Sequence, residues 1–273
     1  MSRYLLMDFK HPKRKLMIGQ PGFALVVVLM LYLAVRGLDI MPVASAAAGV
    51  QGTHGASRTY TTKFPLTENP ISESGNWING KTAGLDWADV AMTPGLAYGT
   101  ESGNTGYDDS AALLTGTWGP DQTVQATVHS VNQNDNIYEE VELRLRSSLS
   151  AHKATGYEIN FRCSKTGNAY TQIVRWNGPL GDFTYLNSHS GAKYGVANGD
   201  VVKATIVGNL ITVYIDDVQV NQATDNTYST GRPGVGFFLG GNAAITDYGF
   251  TSFTASDGSQ GPPPPAHLSG TAH

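Results

Sequence analysis

The sequence predicts an all-β protein, a two-sheet antiparallel β-sandwich preceded by a hydrophobic segment. Between residues 59 and 256, apolar and polar side chains repeatedly alternate with a period of two. Turn residues interrupt that alternation every ~8–14 positions. Glycine is abundant, at 32 residues, while charged residues make up only 15%, which suits many short strands joined by tight turns. No stretch in this range combines a helical apolar period with helix start and stop signals.

Successive side chains of a strand point to opposite faces, so each run divides into two sets. Residues 122–131 place Val124, Ala126 and Val128 on one face and Gln125, Thr127 and His129 on the other. Residues 139–147 set Val141, Leu143 and Leu145 against Glu142, Arg144 and Arg146. Residues 156–163 set Tyr157, Ile159, Phe161 and Cys163 against Glu158, Asn160 and Arg162. Residues 170–176 form a further strand whose inward face the pattern leaves open. Residues 201–207 and 210–215 flank Gly208-Asn209, a two-residue hairpin turn pair that tolerates positive φ. A second turn at Asp216-Asp217 leads to 218–220, followed by the glycine-rich stretch 231–241 and a closing strand over 247–255.

The flanks are different in kind. Lys10, Lys13, Arg14 and Lys15 precede an apolar run over residues 23–35, and Ala44-Ser45-Ala46 follows. These are the parts of a secretory signal peptide cut after Ala46. The alternative is an uncleaved anchor over residues 16–35, with the basic residues holding the N-terminus in the cytoplasm. Both place the rest of the chain in an extracellular, cell-surface or periplasmic location, and a membrane is met only through this segment. The expected organisation is signal or anchor over 1–46, linker over 47–58, sandwich over 59–256 and a Pro-rich tail over 257–273. Pro262, Pro263, Pro264 and Pro265 favour a polyproline II segment in that tail, which is expected to be disordered.

Composition excludes several classes. A single cysteine allows neither an internal disulfide nor a thiolate zinc site, and the register of Cys163 makes it a small buried apolar group. The net charge is −4 and no Lys/Arg run follows residue 50, which argues against a nucleic-acid partner.

Three segments then resemble a family. The run "DVVKATIVGNLITVYIDDVQV" over 200–220, "GRPGVGFFLGG" over 231–241 and "TDYGFTSFTAS" over 246–256 resemble the concanavalin A-like, laminin G-like jelly rolls. Asp217 stands where their turn usually has glycine. The likeness covers 138–256 by motif and 59–130 by pattern alone. It implies a concanavalin A-like jelly roll, a superfold that hosts lectins, carbohydrate-binding modules, glycoside hydrolases, polysaccharide lyases and adhesion domains. The expected function is an exported, non-catalytic carbohydrate-binding or surface-interaction module, with a polysaccharide or cell-surface glycan as partner. A polysaccharide lyase or glycoside hydrolase of the same fold is one alternative. A structural or adhesion domain that recognises protein or self-assembles is the other.

If strands 122–131, 139–147 and 156–163 pair in order, their polar faces join into one patch. His129, Glu142, Arg144, Arg146, Asn160 and Arg162 are then the candidate ligand residues. Guanidinium forks match carboxylates, which points to acidic glycans. Trp176 is the stacking candidate, because it ends a strand just before Asn177-Gly178-Pro179. The strand over 139–147 lacks the Glu-x-Asp-x-x-Glu motif of laminarinase-type jelly rolls. It partly resembles the Arg/Glu-Leu-Arg strand of alginate-lyase-type ones, and no catalytic residue is assigned. No cofactor is required. The resemblance implies a structural Ca2+ near the last strand, for which Asp247, Asp86 and Asp89 offer hard oxygen ligands.

Overall fold

The computed structural model describes residues 57–103, 109–133 and 136–258. The signal or anchor segment, the linker before residue 57 and the tail beyond 258 lie outside the described residues.

Two antiparallel sheets face each other. The eight-stranded sheet runs β13 (Val218–Thr224), β12 (Leu210–Ile215), β11 (Val201–Val207), β6 (Gln122–Ser130), β15 (Tyr248–Asp257), β4 (Leu96–Gly99) and β3 (Val90–Thr93), with β1 (Thr59–Thr62) also paired to β15. The seven-stranded sheet runs β10 (Phe183–Ser190), β9 (Tyr170–Gly178), β8 (Lys153–Arg162), β7 (Tyr138–Ser150), β14 (Arg232–Gly240), β5 (Ser110–Leu114) and β2 (Trp77–Asn79). This is the sandwich expected from the alternation.

The inward sets close the main core. Val124, Ala126 and Val128 of β6, Val202, Ala204 and Ile206 of β11, and Phe250, Phe253 and Ala255 of β15 come from one sheet. They meet Val141, Leu143 and Leu145 of β7, Tyr157, Ile159 and Phe161 of β8, and Val235, Phe237 and Leu239 of β14. Cys163 is buried with them, and burial pushes its thiol pKa well up. The turn pairs also behave as their residues require. Val207 pairs with Leu210 around Gly208, whose φ is +58°, and Ile215 pairs with Val218 around Asp216 and Asp217, at φ +50° and +61°. Positive φ at the turn centre matches the twist of the flanking strands.

Three findings differ from the expected layout. First, β6 does not pair with β7. It lies between β11 and β15 in the other sheet, so the chain crosses the sandwich between residues 130 and 138. Second, the face of β9 is now fixed: Ile173 enters the core, while Tyr170, Gln172, Val174 and Trp176 point outward beside the outward residues of β8. Third, a bulge interrupts β7. Its register against β8 shifts between Leu145 and Ser148, and its register against β14 shifts between Arg232 and Gly234. Arg146 sits in the bulge at φ +44°. Glycine faces it from both sides: a Cβ on Gly156 of β8 would collide with Ser147, and one on Gly231, just before β14, with the Arg146 backbone. A bulge re-aims side chains, and this one turns Arg146 away from its alternation partners.

A smaller apolar cluster covers part of the outer face of the seven-stranded sheet. It joins Ala154, Val174 and Trp176 to Ala111 and to Leu85 and Trp87 from the loop over 80–89. That loop is tied down by Gly80 N–H to Ala111 O (2.8 Å), by His152 N–H to Gly84 O (2.9 Å) and by Ala88 N–H to Asp109 O (3.0 Å). Part of this outer face is therefore a buried floor.

Candidate functional site

The outward residues of β7, β8 and β9 bring charge to that floor. Register sets Glu140 opposite Arg162, Glu142 opposite Asn160 and Arg144 opposite Glu158. On the far side of β8, Asn160 pairs with Gln172 and Glu158 with Val174. Asn160 is thus at the centre of the face. Exposed cross-strand ion pairs contribute little, but these are not exposed: Glu142, Arg144, Glu158 and Arg162 are all buried, as are Glu140 and Asn160.

Arg144 holds the cluster together. Its guanidinium pairs with Glu142, with Glu158 and, at 3.2 Å, with Asp109 from the segment entering β5. Trp176 donates its indole N–H to Glu158, and the Arg144 guanidinium lies 5.0 Å from the ring centre of Trp87. Burial opposes the charge on Arg144, yet Glu158, Glu142 and Asp109 push its pKa above the ordinary value. Burial, reinforced by neighbouring carboxylates and tempered by Arg144, pushes Asp109 and Glu142 well above the usual carboxylate range. Glu140 accepts from the Tyr170 hydroxyl and is pushed up to about 7, mainly by burial. Three buried polar atoms of this floor have no hydrogen-bond partner among the described residues: Asn160 Oδ1, Arg144 Nε and Trp87 Nε1.

Two glycines of β14 leave room for the guanidinium. Gly234 and Gly236 pair with Arg144 and Glu142, and a Cβ on Gly236 would sit 2.8 Å from Arg144 Nη2 and 2.9 Å from Nε. Because three carboxylates pin that guanidinium, it cannot yield cheaply. Gly236→Ala is expected to cost about 1–3 kcal/mol of stability, read as a lower denaturation midpoint. An unchanged midpoint would mean that the cluster is looser than described.

Away from the covering loop the face opens. Tyr138 and Tyr185 are 46% and 54% exposed, and both point outward here. They are the two large aromatic side chains in the exposed class among the described residues. Tyr138 stacks over Arg162 at 4.1 Å, and Arg162 lies 5.8 Å from the Tyr170 ring. Tyr185 packs edge-on against Phe183, and half-exposed Gln172 lies between Asn160 and Ser188 in the ladder.

Of the residues singled out from sequence, Glu142, Arg144, Asn160 and Arg162 come together on this face. Three do not behave as expected. His129 is on β6 and so stands on the outer face of the opposite sheet, because β6 and β7 belong to different sheets. Arg146, turned by the bulge, binds the carbonyls of Pro120 (2.6 Å), Tyr228 (3.0 Å) and Gly208 (2.7 Å), knotting three loops together. Trp176 belongs to the face but is no solvent-facing platform. It is 3% exposed, packed on Trp87 at 4.5 Å and on Phe183 at 5.1 Å. The expected metal ligands do not gather either. Asp86 pairs with His152 at 2.8 Å, Asp89 accepts from Thr82 N–H at 3.0 Å, and Asp247 accepts from Asn132 at 2.8 Å. Among the described residues, the acidic group that does converge is Asp109, Glu142 and Glu158. Tyr138 and Tyr185 are among the strand-end and loop aromatics that the sequence offers for stacking, and Tyr138 precedes Glu140 by two residues and so shares its face.

Fold and face together define a two-sheet antiparallel β-sandwich whose seven-stranded sheet carries a buried acidic floor and a tyrosine rim. The exoplasmic/lumenal domain of VIP36 in its metal-free form is 11% identical, with 73% of this chain and 94% of that one aligned at a TM-score of 0.50. Its Ca2+/Man3GlcNAc-bound form is 12% identical over 76% and 91%, at a TM-score of 0.48. The carbohydrate-binding module CBM66 from Bacillus subtilis is 18% identical over 68% and 95%, at 0.45. No family model matches the chain, and no curated protein matches it.

Proposed function

We propose that this chain is an exported, non-catalytic carbohydrate-binding module that holds a glycan on the open part of the seven-stranded sheet. Its fold hosts binding modules and enzymes alike, so support must come from side chains. The observation that carries the proposal is the placement of Tyr138 and Tyr185. Phenol rings offer an apolar surface for the flat face of a pyranose, with a polar handle at the edge. Here the two exposed rings flank half-exposed Gln172, whose amide can exchange hydrogen bonds with hydroxyls. Export rests on the signal or anchor residues before position 47.

The ligand class follows from charge. The face holds four buried carboxylates, Asp109, Glu140, Glu142 and Glu158, against the guanidinium groups of Arg144 and Arg162. Arg144 is already committed to three of the acids. Both guanidinium groups are buried, so in place of the acidic ligands expected from guanidinium forks the face suits neutral, hydroxyl-rich ones. A catalytic role is disfavoured by the same geometry, because the carboxylates that lie close together are buried and bound to one guanidinium.

The test is retention on gels containing neutral or uronate polysaccharides. Tyr138→Ala and Tyr185→Ala should each weaken binding to a neutral glycan about tenfold, from the loss of about 1.4 kcal/mol of stacking. The double variant should lose close to the product, with folding unchanged. Wild-type strength in the double variant would sink the proposal. Stronger retention by uronate polymers would overturn the ligand class.

A further inference from the structure

We propose that Asp109, Glu142 and Glu158, with the amide oxygen of Asn160, form a divalent cation site of calcium type beneath the tyrosine rim. One ligand oxygen from each of the three carboxylates lies within 4.8 Å of the others. Calcium takes oxygen ligands at about 2.3–2.6 Å, so donors on opposite sides of one ion stand about 5 Å apart. The cluster has that size.

A group of acids alone would not make a site, and the second observation is Asn160. It is 92% buried, being 8% exposed, and its Oδ1 has no hydrogen-bond partner among the described residues. It stands opposite Glu142 in the ladder and two residues from Glu158 on the same face. A buried amide oxygen without a donor costs free energy, and a hard cation is the partner for which an oxygen beside two carboxylates is suited.

Arg144 does not fill the site by itself. Its nitrogens engage Glu142 Oε2, Glu158 Oε2 and Asp109 Oδ2, one oxygen of each acid. A carboxylate has two oxygens and about four lone-pair positions, so guanidinium and ion can share the same three acids. Calcium is favoured over magnesium because the donors are all protein oxygens in a buried cage. Magnesium prefers to keep several waters and a strict octahedron.

The full-length protein, stripped with chelator, should sensitise terbium(III) luminescence when tryptophan is excited. Trp176 donates to Glu158 and Trp87 lies beside Arg144, so both indoles are next to the ion. Calcium should displace terbium, while magnesium at the same concentration should not. Calcium at a hundredfold excess over its Kd should raise Tm by about 5–10 °C. Asn160→Ala, which leaves all charges in place, should weaken terbium binding about tenfold, and Glu142→Gln should weaken it further. Absence of sensitised emission from folded wild-type protein overturns the proposal, and so does emission that neither substitution reduces. A Tm that ignores calcium but rises at lower pH would show that protons offset the charge instead, which overturns it too.

Discussion

Replacing Arg144 by Met is expected to lower the stability of the sandwich by about 3–5 kcal/mol, because it leaves three buried carboxylates without their shared cation. Glu142, Glu158 and Asp109 are each at most 4% exposed, so water cannot screen the loss. For a domain of this size the effect is a fall in Tm of about 10 °C or more. Removing the whole network tells the two halves of the interaction apart. With Asp109→Asn, Glu142→Gln and Glu158→Gln added to Arg144→Met, most of the stability should return, since neutral amides cost far less to bury than ions. Arg144→Lys should recover little, because an ammonium lacks the planar fork that reaches three partners at once. By contrast, loss of the surface pair between Lys203 and Asp217, the latter's side chain 85% exposed, should change stability by less than about 1 kcal/mol. Chemical denaturation of the five proteins is the measurement. An Arg144→Met protein as stable as wild type would show that the guanidinium does not hold the floor.

The second large effect is an acidic stability optimum. In the folded chain Glu140 is pushed up to about 7 from 4.5, chiefly by burial, and Glu139 likewise, by burial and by the charge of Asp247. Between pH 4.5 and 7 the native state therefore binds more protons than the unfolded state. Stability must then fall as pH rises through that window. For Glu140 the rise from 4.5 to about 7 corresponds to about 3 kcal/mol. The benefit is full below pH 4.5 and is lost by the time pH passes 7. Asp109 and Glu142 shift in the same direction and add to the slope. Asp225 works oppositely. Although burial raises its pKa, hydrogen bonds from Thr227, Tyr157 and Arg175 lower it more, so its contribution disappears as pH falls below the ordinary aspartate range. Denaturant melts from pH 4 to 8 in chelator should show a maximum near the acid end of this range, and Glu140→Gln should flatten the decline. A profile that rises steadily to pH 8 would contradict the burial of these acids.

Much of the fold can be read locally. Which residues form β6, β7, β8, β11 and β12, and which side chains of each share a face, follows from period-two alternation, because a strand presents alternate residues to opposite sides whatever it pairs with. The same rule places Glu142, Arg144, Asn160 and Arg162 on outward faces. It carries no information about which strands are neighbours, and so alternation alone cannot separate His129 from residues that lie on the other side of the sandwich.

Local pattern specifies the strands, their inward and outward sets, the turn at Gly208 and the polar character of the face around Arg144. Long-range packing puts β6 and β7 in different sheets, lets the bulge turn Arg146 into a loop knot, and lays the loop over 80–89 across Trp176. The difference is one of range. Alternation and turn chemistry are set by neighbours in the chain, whereas burial of a charge depends on what distant segments bring to it. Asp109, Glu142 and Glu158 are ordinary surface acids by sequence. They become a buried cluster because a distant loop closes over one sheet and two glycines of β14 leave room for a single guanidinium.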